Sequence, residues 1–65
     1  TERRTMGDND FIIEFIAMGN SVKVTCVDPR TGKEVSTIGP ANAPRSQLSQ
    51  AAVNKMRYVL NKEKS

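Results

Sequence analysis

Cys26 is the residue whose side chain comes closest to a chemical nucleophile. It is the single cysteine of the chain, and the sequence contains no histidine that could take its proton. A thiol attacks as the thiolate, so it needs a base or a cation nearby to lower its pKa. Cys26 instead lies in the apolar-rich run VKVTCV, where a free cysteine usually packs as a small hydrophobic residue. We therefore expect Cys26 to fill space in the core.

The carboxylates are scattered along the chain, without a pattern typical of acid–base catalysis. Asp28 opens the sequence DPRTGK, where such a carboxylate usually bonds to backbone amides of its own turn. The run Asp8-Asn9-Asp10 has the start of a calcium loop without its glycine and distal glutamate. Neither glycine-rich phosphate-binding pattern occurs. The sequence thus predicts no catalytic, cofactor-binding or metal-binding residues, and we expect that the chain is not an enzyme.

Alternating apolar residues predict two hairpins between residues 11 and 38. The first turn is Gly19-Asn20, and the second is formed by residues 29–32, PRTG. Both turns give one register that keeps the apolar side chains on a single face, and a slip by one residue would expose that face. The predicted pairs are Ala17 with Val22, Phe15 with Val24, Ile13 with Cys26, Cys26 with Val35 and Val24 with Thr37.

A helix is predicted after the third strand. Pro40 and Pro44 end strand pairing, and Ser46 is a suitable N-cap. From Gln47 onward the apolar residues recur at helical spacing and form one stripe, so we expect the helix to end near Asn61.

The predicted fold is α+β. It is a three-stranded antiparallel meander in the order 1-2-3, with one C-terminal helix packed on one face, or β-β-β-α. We expect residues 1–10 to be a flexible N-terminal segment, residues 11–62 to form a single domain and residues 63–65 to be frayed. The predicted core consists of Phe11, Ile13, Phe15, Ala17, Val22, Val24, Cys26, Val35, Leu48, Ala52, Met56, Val59 and Leu60.

The face of the sheet opposite the helix is a candidate contact surface. One helix cannot cover both faces, so several apolar side chains stay exposed, which is typical of an interface although also common on other surfaces. The first predicted strand also forms a long apolar edge, which is open to pairing unless the N-terminal segment covers it. We predict a non-catalytic interaction module that uses this face or this edge. The candidate interface residues are Ile12, Ile16, Met18, Val27 and Ile38.

The charge is concentrated in the second part of the chain. Residues 1–39 carry five basic and six acidic groups, whereas residues 40–65 carry five basic groups and one acidic group. A basic helix after three strands is also the end of a double-stranded-RNA-binding domain, but the lysine cluster and long first loop of such domains are absent here. Nucleic-acid binding is therefore the less favoured alternative. Its candidate contacts are Arg45, Lys55, Arg57 and Lys62.

The short length of the chain favours self-association. Domains of about 65 residues are marginal alone, and one cysteine forms no internal disulfide. We therefore expect a homodimer or docking on a larger protein. No run approaches the roughly 20 apolar residues of a membrane span, and we see no apolar signal core. With the lone thiol, this predicts a cytoplasmic protein without a membrane partner.

The chain resembles a family of small uncharacterised alphaproteobacterial proteins. The resemblance lies in the run FxxEFxxMGxxVKVTxVDPxTGxEVSxxGP, at residues 11–40, and in the helix end KMRYVLNK. It covers residues 11–62. It implies a standalone cytoplasmic protein without an established biochemical role, and it transfers no functional residues.

Overall fold

Four antiparallel strands and one helix make up the part of the chain that the structure describes. The computed structural model describes the backbone of residues 2–6 and 10–64, and the side chains from Asp10 to Glu63. The strands pair in sequence order, β1-β2-β3-β4. The predicted three-stranded meander with a C-terminal helix is confirmed, and one further strand precedes it. The elements are β1 Glu2–Met6, β2 Phe11–Met18, β3 Ser21–Val27, β4 Glu34–Pro40 and α1 Arg45–Lys64.

The predicted register is confirmed at both hairpins. Phe15 pairs with Val24 across β2 and β3, and Cys26 pairs with Val35 across β3 and β4. Gly19 and Gly32 have φ angles of 62° and 76°, a left-handed conformation that glycine adopts without a steric penalty. The two turns therefore fix which side chains lie on the inner face of the sheet, beneath α1, and which lie on the outer face.

The N-terminal segment differs from the expectation of a flexible lead-in. The backbone of β1 pairs with β2 from Glu2, opposite Phe15, to Met6, opposite Phe11. This pairing satisfies the backbone groups that β2 would otherwise expose along an apolar edge. The strand that we predicted to be an edge is thus an inner strand. Residues 1 and 7–9 of the predicted lead-in, including Asp8 and Asn9 of the calcium-loop pattern, lie outside the described residues.

The core lies between α1 and the inner face of the sheet. Helix α1 packs mainly on β3 and β4 and touches β2 less. Most of the predicted core is buried, and Val53 joins it. The buried apolar residues are Phe11, Ile13, Phe15, Val22, Val24, Cys26, Leu48, Ala52, Val53 and Met56.

Four predicted core positions are less buried than expected. Ala17 is exposed because it lies near the end of β2, the strand of the three that α1 contacts least. Val35, Val59 and Leu60 are half-buried, since they lie at the margin of the contact between α1 and the sheet. Val53 is buried although it is not in the predicted core, because the helix buries a broader arc than one apolar stripe.

Both ends of α1 differ slightly from the prediction. The N-cap residue is Pro44 and not Ser46, because the Pro44 carbonyl accepts the first helical hydrogen bonds, from the amides of Gln47 and Leu48 at 3.1 Å each. The helix continues to Lys64, so the expected fraying at residues 63 and 64 is not seen. The Glu63 carboxylate pairs there with the Lys33 ammonium of the β3–β4 turn. Within the described residues, no helix has the length and apolarity to cross a membrane.

Leu48 of α1 packs closely on the sheet at Gly39. Gly39 of β4 pairs with Val22 of β3, and a Cβ atom placed on Gly39 would lie 2.5 Å from Cδ2 of Leu48. Real Cβ atoms essentially never come so close to another carbon. A side chain at this position would therefore require the Leu48 side chain to move.

We expect Gly39→Ala to destabilise the domain by roughly 1–3 kcal/mol, because the new methyl group forces Leu48 out of its packed position. Urea unfolding followed by circular dichroism measures this change. The matched control is the same substitution in a Leu48→Ala background, where the methyl group has space and should cost much less. An equal cost in both backgrounds would show that Leu48 does not impose the requirement for glycine.

Candidate functional site

The outer face of β2, β3 and β4 is left uncovered by helix α1. Its apolar side chains are not continuous, because a row of polar residues crosses the three strands in the middle of the face. We call this row, formed by Glu14, Thr25 and Ser36, the polar row. Thr25 at its centre is buried to 7% exposure by its neighbours. The predicted patch is therefore divided into two apolar groups, one on each side.

The larger group surrounds a lysine. Lys23 pairs with Ile16 of β2 on one side and with Ile38 of β4 on the other, and Met18 lies two residues beyond Ile16. Ile16, Met18 and Ile38 are 36%, 48% and 64% exposed. We call these four residues the Lys23 cluster. It is a strip of exposed apolar surface that carries one positive charge at its centre.

The smaller group is the pair Ile12 and Val27, which face each other across β2 and β3 and are half-buried. We call it the Val27 pair. Glu34 is the partner of Val27 on β4 and is exposed. The five predicted interface residues thus share one face of the sheet, three in the Lys23 cluster and two in the Val27 pair. Their alternation in the sequence was sufficient to place them there.

The open edge of β4 is protected against pairing. The amide of Asp28 donates to the Lys33 carbonyl, and the amide of Ala41 donates to the Asn20 carbonyl. Because hydrogen-bonded and non-hydrogen-bonded pairs alternate along antiparallel strands, the backbone N–H and C=O groups of Ser36 point away from β3, toward the open edge. The Lys55 ammonium donates a hydrogen bond of 2.8 Å to the Ser36 carbonyl. Pro40, at the end of the same strand, has no amide hydrogen to offer. Sequence reasoning missed this role of Lys55, because it depends on how the helix lies across the strands.

The four basic residues proposed for nucleic-acid contact do not converge. Arg45 lies over the Phe15 ring at 5.1 Å, and Lys55 is bonded to the β4 edge. Arg57 points to nearly the opposite side of the helix from Lys55, about 160° away, because it is two positions further along the chain. Lys62 lies on the side of Lys55 but over the Tyr58 ring, at 5.7 Å. These cations form no single basic surface.

A groove of about 610 Å³ lies between the β3–β4 turn and the end of α1. The fully buried carboxylate of Asp28 in this groove is already hydrogen-bonded within its own turn. It accepts bonds from the Arg30 amide at 3.0 Å and the Thr31 hydroxyl at 3.3 Å. This confirms the predicted role of Asp28 in its own turn. The groove therefore offers no unpaired buried polar group for a ligand. Its lining residues are Asp28, Arg30, Thr31, Arg57, Leu60, Asn61 and Glu63.

Cys26 is buried on the inner face between Ile13 and Val35. Burial, together with the negative charge of Asp28, raises the pKa of its thiol from 9.0 to about 11. Both effects disfavour the thiolate, so Cys26 is poorly suited to nucleophilic chemistry. Among the described residues, no three histidine, cysteine or acidic side chains lie close enough to hold a metal ion.

The comparisons with known proteins identify a family without a known activity. Residues 8–63 match DUF6898, a domain of unknown function, and the chain belongs to this family. The resemblance drawn from the sequence, to a family of uncharacterised proteins, is thereby confirmed at this level. Neither the curated proteins nor the solved structures provide a match.

We expect the Cys26 thiol to resist alkylation at pH 8 in the folded protein and to react promptly in urea. Because folding raises the pKa, the contribution of the protonated thiol to stability is complete below about pH 9 and is lost as the pH rises through about 11. Iodoacetamide labelling followed by mass spectrometry measures this reactivity. Cys26→Val, which cannot be labelled, should fold normally and is the control for labelling elsewhere. Rapid, stoichiometric labelling of the folded chain would contradict a buried thiol.

Proposed function

We propose that this chain is a non-catalytic interaction module that self-associates through the outer face of its sheet. The observation that carries the proposal is the exposure of Ile16, Met18 and Ile38 side by side on a face that α1 does not cover. Stacking this face against a second sheet removes apolar surface from water, which is the main driving force of association.

The dimensions of the outer face favour a reversible contact. Three strands of about seven residues span a face of roughly 23 Å by 14 Å. This footprint, about 320 Å² per copy, is smaller than the roughly 800 Å² per partner of a standard specific interface, so it fits a weak, transient contact. The face is favoured over the edges of β2 and β4, since β1 pairs with β2 and Lys55 bonds to the β4 backbone at Ser36.

The alternative proposals have less support. Nucleic-acid binding rests on the basic helix, and the separation of Arg45, Lys55, Arg57 and Lys62 argues against a joint contact with a phosphate backbone. Docking on a larger protein would use the same outer face as self-association. A cytoplasmic location and an alphaproteobacterial origin remain proposals. The first rests on the lone free thiol and the second on the sequence resemblance.

We expect Ile16→Lys to convert the associated protein to a monomer with an unchanged circular dichroism spectrum, because it places a second ammonium beside Lys23. Light scattering of the wild-type chain at micromolar to millimolar concentration should give a mass rising toward twice that of the monomer. Tyr58→Lys is the matched control, since Tyr58 is 65% exposed on α1, away from the outer face. The proposal is wrong if the wild type is monomeric throughout or if Ile16→Lys leaves association unchanged.

A further inference from the structure

The outer face carries one free cation and one free anion among the described residues. Among the described residues, neither the Lys23 ammonium nor the Glu34 carboxylate has a hydrogen bond or an ion pair. The two residues lie on opposite sides of the polar row. Lys23 is two positions before Thr25 on β3, and Glu34 is two positions before Ser36 on the antiparallel β4.

This placement lets the free charges of two copies pair. A two-fold axis that crosses the strands along the polar row exchanges the two sides of the face. Ile16 and Lys23 of one copy then lie opposite Ile12 and Val27 of the other, and Ile38 lies opposite Glu34. Each Lys23 is then one strand away from the second copy's Glu34. Stacked sheets are about 10 Å apart and neighbouring strands about 4.8 Å, which an extended lysine and glutamate together can span.

We propose that two copies of this chain stack outer face to outer face about this axis, joined by two identical ion pairs between Lys23 and Glu34. The inference rests on the proposed self-association and specifies its geometry. The alternative two-fold axis, parallel to the central strand β3, would place Lys23 directly opposite Lys23 of the second copy. The axis across the strands brings Glu14 opposite Glu14 of the second copy, but Glu14 already has an interaction within its own chain. Of the two axes, only the one across the strands forms the two Lys23–Glu34 pairs, so the charge pattern favours it.

Charge reversal tests this geometry. We expect Lys23→Glu and Glu34→Lys each to weaken the dimer by about tenfold or more, because each replaces two attractive contacts with two repulsive ones. The combined variant Lys23→Glu/Glu34→Lys recreates both pairs with reversed polarity and should recover most of the lost affinity. Sedimentation equilibrium at fixed ionic strength measures the dissociation constants, and circular dichroism checks that each variant is folded.

The matched controls change the same charges away from the outer face. Lys62→Glu lowers the net charge by two and the double variant Gln47→Lys/Ala51→Lys raises it by two, as the single reversals do, and all three residues are exposed on α1. They should leave the dissociation constant within a small factor of the wild-type value. A comparable loss in these controls would attribute the effect to net charge and overturn the proposed pairing.

The results separate this inference from the proposed function. If Ile16→Lys abolishes the dimer but the combined charge reversal does not restore affinity, the outer face is the interface in another orientation and the inference is overturned. The same holds if the single reversals have no effect. If the wild-type chain is a monomer at every concentration, both the proposed function and the inference are overturned.

Discussion

The structure depends on one constraint: the one helix among the described residues has to bury the inner face of β2, β3 and β4. Helix α1 meets this demand by lying directly on β3 and β4, at a contact so close that Gly39 leaves no space for a Cβ beneath Leu48. Ten apolar side chains are buried as a result. The same constraint leaves the second face of the sheet without a cover, because no further element is described that could reach it.

The character of the outer face follows from this arrangement. A solvated sheet face normally carries polar side chains at most positions. Here the polar row satisfies that expectation, whereas the Lys23 cluster and the Val27 pair on either side of it do not. The edge of β2 pairs with β1, and the edge of β4 is bonded to Lys55 at Ser36. Association through the outer face is therefore the proposal that we favour.

Much of this fold could be predicted because its determinants are local. The alternation of residues 11–38 and the glycines of two turns specify the register, and the register alone places Ile16, Lys23 and Ile38 side by side. Strand β1 was not predicted, since the sequence ERRTM has no alternating apolar pattern and its pairing depends on β2. The roles of Gly39 and Lys55 were also missed, because both arise from the position of α1 across the strands.

The isoleucine methyl groups offer the most direct test of association through the outer face, since three of the four isoleucines lie on that face. Ile12, Ile16 and Ile38 lie on the outer face, and Ile13 is buried in the core as an internal control. In a methyl-labelled sample diluted from millimolar to micromolar concentration, the resonances of the first three should shift together while that of Ile13 stays fixed. Resonances that are all independent of concentration, in a chain that remains monomeric, would contradict the account.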